Sequence, residues 1–132
     1  MIALAQTCRL PQNKYDIEAV EYLIQAGPTI WAPHASELLE WYQDTNWPIA
    51  KAIQRLIETA PNHFMVPIRK VLQGNDEEWQ YNCVLLVGAM PPAFIDCLRP
   101  DLEVFLSQVS QSAELDWQFQ TAIETVLGRM TT

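Results

Sequence analysis

Pro33-His34-Ala35-Ser36-Glu37-Leu38-Leu39, Pro67-Ile68-Arg69-Lys70-Val71-Leu72 and Pro100-Asp101-Leu102-Glu103-Val104-Phe105-Leu106 are three versions of one run. The prolines lie 34 and 33 residues apart, and each opens a short stretch with apolar residues at helical spacing. A second set, Pro28, Pro61 and Pro91, is spaced by 33 and 30 and falls where a preceding helix should stop. Trp47 and Trp79, 32 residues apart, sit near the starts of successive helices. The chain therefore reads as antiparallel helix pairs, in which the first helix ends at proline and the second restarts a few residues later. One pair cannot bury its own apolar stripe, so the pairs must stack.

Working outward, the helical period continues on both sides. Ile17, Val20, Leu23, Ile24 and Gly27 step by three and four, opened by Asp16 as an N-cap. Trp31, Ala35, Leu38, Leu39 and Tyr42 make a second stripe. Ala50, Ile53, Leu56, Ile57 and Ala60 make a third, opened by Asn46-Trp47-Pro48 with proline in the tolerated first turn. Phe64, Ile68, Val71 and Leu72 form a fourth, which Gly74 should close in a left-handed conformation. The fifth segment begins Asn75-Asp76-Glu77-Glu78, a cap followed by acids suited to the helix dipole. It then runs Trp79, Cys83, Val84, Leu85, Leu86 and Val87, apolar nearly all round, as a central helix would be. The sixth, from Phe94 to about Val109, should break at Arg99-Pro100 into two pieces. The seventh carries Phe119, Ala122, Ile123, Val126, Leu127 and Met130, with polar residues opposite. No alternating strand pattern or Asn-Gly hairpin turn occurs.

The predicted fold is all-α: a compact right-handed stack of antiparallel helix pairs, a HEAT/armadillo-like α-solenoid of about three repeats with a C-terminal capping helix. It should form a single helical-repeat domain over residues 1–132, with an irregular N-terminal segment over 1–13. A length of 132 residues with 49% hydrophobic content suits one domain and excludes intrinsic disorder.

Charge narrows the partners. Sixteen acidic residues against eight basic ones leave a net charge of −8. Nucleic-acid affinity is mostly phosphate neutralisation by Lys and Arg, so a nucleic-acid partner is not expected. The same charge is repelled by an anionic membrane surface. Residues 1–5 are apolar but too short, and without a basic flank, for a signal peptide. Cys8, Cys83 and Cys97 form no CxxC pair and read as reduced thiols, so a cytoplasmic location is expected.

Little of the sequence points to chemistry. There are two histidines, and His34 three residues before Glu37 is a single weak pairing where metal sites need three or four ligands. His63 lies in the turn Pro61-Asn62-His63, where a solvated imidazole is the ordinary outcome. Acid pairs such as Glu37/Glu40 and Glu18/Glu21 read as solvated helix faces. No phosphate loop or nucleophile elbow occurs, so no catalytic residue, cofactor or metal is assigned. The most unusual stretch is Trp41-Tyr42-Gln43-Asp44-Thr45-Asn46-Trp47-Pro48, two tryptophans flanking a short polar turn. Structurally, Asn46 and Asp44 should cap the third helix while Trp41 and Trp47 clamp the corner. Functionally, the same residues would anchor a partner.

The run Trp41-x-x-Asp44-x-Asn46-Trp47-Pro48-Ile49-Ala50 resembles the signature of a small bacterial family known as domain of unknown function 5071. Leu10-Pro11-x-x-Lys14-Tyr15-Asp16 upstream and Asn75-Asp76-x-x-Trp79-Gln80-Tyr81 downstream are similar to its other motifs, in the same order. Thr45 departs from the pattern, where a larger apolar residue is expected. The resemblance spans about Leu10 to Pro100 and implies a helical bacterial domain, without an activity to transfer.

Three functional readings follow. The first is a non-enzymatic protein–protein interaction module, monomeric or weakly dimeric, whose acidic surface meets a basic protein. Its candidate surface comprises Lys14, Asp16, Trp41, Asp44, Asn46, Trp47, Asp76, Trp79 and Tyr81. The second is a sharper form, an immunity-type protein that neutralises a basic toxin. The third is a small-molecule or enzymatic site built from Asp16, Asp44 and Asp76 at helix starts, together with Lys14 and the tryptophans.

Overall fold

A computed structural model describes residues 9–110 and 117–128. The apolar run over 1–5, Cys8 and Met130 lie outside the described residues. Every regular element among those described is helical, and none is a strand. The all-α expectation holds. In chain order the helices are α1 (Ile17–Ala26), α2 (Pro28–Trp31), α3 (Ala35–Leu39), α4 (Ile49–Thr59), α5 (Met65–Leu72), α6 (Glu77–Gly88), α7 (Pro92–Ser110) and α8 (Trp117–Gly128). Short 3-10 turns intervene at Ala32–His34, Glu40–Tyr42 and Pro61–Phe64. The chain groups into two compact units, one ending at Pro67 and the other beginning at Ile68.

In the first unit, α1 packs along α4 across the intervening short turns. Ala19, Val20 and Leu23 of α1 meet a strongly one-sided α4, whose Ile49, Ala50, Ala52, Ile53, Leu56 and Ile57 are buried while Lys51, Arg55 and Glu58 face water. Arg55 reaches Glu21 at 3.9 Å across this pair. The second stripe is not one helix. It is four short pieces, because Pro33 lacks the N–H that would continue the ladder, and the chain tightens into 3-10 geometry there. Trp31, with no exposed surface, anchors these pieces against Phe64, 5.3 Å away ring to ring, and His63, 5.6 Å away.

In the second unit, α8 packs on both α6 and α7. Ile123 and Val126 of α8 are buried, with Thr121, Glu124 and Thr125 outward, the polar face expected of this helix. Gly88 allows the close approach, since a Cβ there would meet Cγ2 of Val126 at 3.0 Å. Arg69 of α5 donates from Nε to both oxygens of Asp101 in α7, at 3.1 and 3.0 Å.

Three local expectations are corrected. Pro67 and Pro100 do not begin helices: Pro67 lies inside α5, and Pro100 lies inside α7. The break predicted at Arg99-Pro100 is absent, so α7 runs unbroken for 19 residues. Leu98 and Leu102, fully buried on either side of an exposed Pro100, hold it helical. Gly74 is not left-handed either. The one described residue with positive φ is Gly27, at 93°, between α1 and α2.

Candidate functional site

The first two motifs are brought together at the start of α4. The main chain of Lys14 supplies the carbonyl that accepts the Ile49 N–H at 3.0 Å. A helix start leaves several N–H groups without partners, and here a distant backbone carbonyl takes one of them. This corrects the expected capping. Pro48 is the N-cap residue of α4, and neither Asp44 nor Asn46 bonds to the first turn through its side chain. Asp44 instead turns the loop on itself: Oδ1 accepts the Asn46 N–H at 2.8 Å, and its carbonyl accepts the Trp47 N–H at 3.1 Å.

Asp16 caps α1 as expected and does more. Its Oδ1 accepts from the Ala19 N–H at 3.4 Å, its Oδ2 accepts from the Gln12 N–H at 3.1 Å, and Arg9 stands 3.5 Å from Oδ1. One carboxylate thus fastens the 9–16 segment to the helix. Lys14 is exposed with Nζ 5.5 Å from the Tyr15 ring centre, and Tyr15 is itself two-thirds exposed.

Trp41 and Trp47 do clamp the corner. Their ring centres lie 6.1 Å apart at an interplanar angle of 66°, an edge contact, and both rings are half-buried. They are neither core nor free anchors. Trp41 also lines a cleft of about 220 Å³ with Leu10, Pro11, Glu37, Leu38 and Glu40. The His34 and Glu37 pair read from the sequence does form, with Nδ1 3.3 Å from Oε1.

The third motif belongs to the second unit. Asp76 caps α6 by accepting the Trp79 N–H at 3.1 Å. Trp79 is half-buried and its indole N–H has no acceptor among the described residues. Tyr81 is half-buried as well. The strongest polar anchor here is one that sequence reasoning passed over. Gln80 is buried, and its amide donates to the carbonyls of Val71 at 3.2 Å, Leu72 at 3.3 Å and Gly74 at 2.9 Å, closing the C-terminal end of α5. A Gln inside an apolar run just after a helix end was the available signal. Cys83, also buried, has its thiol pushed far up by loss of hydration and, secondarily, by the charge of Asp76.

Each motif is thus a set of backbone fastenings plus a few partly exposed rings. The family model described as Domain of unknown function (DUF5071) matches residues 9–127. The chain belongs to the DUF5071 family. The match takes in all three motifs, and no curated protein matches the chain. Within this DUF5071 domain, no group of three or more His, Cys, Asp or Glu side chains is placed to hold a metal ion among the described residues. No described helix is long and apolar enough to cross a membrane.

Proposed function

We propose that this protein is a non-enzymatic interaction module: a cytoplasmic helical-repeat domain with HEAT-like stacking, monomeric or weakly dimeric, whose acidic surface receives a basic protein partner. One observation carries the reading. The motif carboxylates Asp16, Asp44 and Asp76 are spent on backbone N–H groups, whereas exposed Glu37 and Glu40 line a cleft with half-buried Trp41, whose ring meets that of Trp47. Aromatic rings beside like charges are the composition of a surface that anchors and steers an oppositely charged protein.

The test is affinity capture with the tagged full chain, at graded salt. A stoichiometric basic partner should be retained at low salt and released as ionic strength rises. Charge reversal by Glu37→Lys with Glu40→Lys should weaken its capture. Recovery of no stoichiometric partner at any salt, or of one held equally by the reversed variant, would overturn the reading.

A further inference from the structure

We propose that the cleft beside Trp41 takes a single arginine side chain from a basic stretch of the partner, the guanidinium lying against Trp41 between Glu37 and Glu40. This rests on the interaction-module reading and names the chemistry its partner must present. The cleft, at about 220 Å³, is smaller than the roughly 300–1,000 Å³ of ordinary small-molecule pockets. It has room for one long side chain. Among the described residues its lining is Leu10, Pro11, Leu38 and Trp41 with two acids and no base.

Charge decides the occupant. Glu37 and Glu40 stand three residues apart on the same helical face, both exposed at the cleft. Glu40 has no ion pair among the described residues, and Glu37 has only the His34 ring, 3.3 Å away. The neighbouring base, Arg9, is already paired with Asp16 at 3.5 Å. Among the described residues, no Lys or Arg is therefore paired with either of the two carboxylates that line this small cavity.

Shape then selects arginine over lysine. Indole is the best aromatic face for a cation, and the Trp47 edge contact holds Trp41 in place. A planar guanidinium can lie against a ring while its forked N–H groups reach two carboxylates, which a compact ammonium cannot match. Leu10, which is half-buried, would cover the methylene stem, with buried Pro11 and Leu38 behind it.

The experiment titrates the full chain at low salt with the blocked peptide Gly-Gly-Arg-Gly-Gly and its Lys and Gln counterparts. The Trp41 indole N–H resonance is followed by NMR, assigned with Trp41→Phe. A saturable shift is expected with the Arg peptide, roughly threefold weaker with Lys and absent with Gln. Glu37→Gln with Glu40→Gln, at exposed positions, should keep the spectrum of the folded chain and weaken binding about tenfold. No saturable Trp41 shift, equal shifts from all three peptides, or undiminished binding by the double variant would each overturn the proposal. If a basic partner were still captured in salt-dependent fashion, the module reading would survive that loss. An arginine-specific Trp41 shift without any captured partner would instead remove the module reading and leave the cleft.

Discussion

Asp16 and Asp44 are the same residue type near helix starts, yet they do different jobs. Asp16 holds two backbone N–H groups on separate segments, while Asp44 closes one local turn. Removing a true cap costs about 1 kcal/mol, and a local turn bond less. Asp16→Ala should therefore lower stability more than Asp44→Ala, by urea denaturation of both variants. Equal losses would mean that the Asp44 turn bears on α4 more than its bonds indicate. Gln80→Ala should be costlier, because it removes a buried amide that donates to three carbonyls at the end of α5, of which that of Val71 keeps the Gly74 N–H. A loss of about 2 kcal/mol is expected from the same urea curves, and a loss under about 0.5 kcal/mol would refute the capping role.

At the scale of elements, two positions set the path of the chain. Gly27 joins α1 to α2 at φ 93° and ψ 164°, a conformation open to glycine and almost no other residue. Since a Cβ there would meet no atom within 4 Å, the cost of Gly27→Ala is conformational, about 1–3 kcal/mol. The melting temperature should drop by several degrees, with helical circular dichroism retained. Pro100 works in the opposite sense. It sits exposed within α7 and forgoes one ladder bond. Pro100→Ala should raise the urea midpoint, with the gain below the roughly 3 kcal/mol of an unaccommodated interior proline. A lowered midpoint would show that α8 packs on a bend that Pro100 creates.

For the molecule as a whole, the buried Cys83 thiol links stability to alkaline pH. Its pKa is raised in the folded state, chiefly by burial and then by Asp76, so the unfolded chain releases this proton first. The contribution is complete below the ordinary thiol pKa of about 8.5 and is lost as pH climbs above it. One such proton steepens the decline by up to about 1.4 kcal/mol per pH unit. Cys83→Ala should show a correspondingly shallower fall in stability between about pH 8.5 and 10.5. Identical slopes would place the thiol in contact with water. In native protein, peptide mapping after alkylation should find Cys97, which is exposed, modified well before Cys83.

Period and cap chemistry act over three or four residues, so the helical class, the Asp16 and Asp76 caps and the amphipathic face of α4 are legible in the sequence. Its motifs also marked the Trp41–Trp47 corner, where an edge contact forms as expected. Helix ends were less legible. Pro67 and Pro100 read as starts because a proline's local preference is visible, whereas burial of residues around it, such as Leu98 and Leu102, is not. That the Lys14 carbonyl serves α4 and that Gln80 serves α5 follows from packing in the folded chain. The Lys14 contact joins positions 35 residues apart in the chain, and no local pattern encodes such a partner. Packing likewise gives Glu37 and Glu40 a cleft shared with Trp41 and the distant Leu10 and Pro11. Spacing can put two carboxylates on one helical face, but a cavity needs a second wall, and folding alone brings that wall into place.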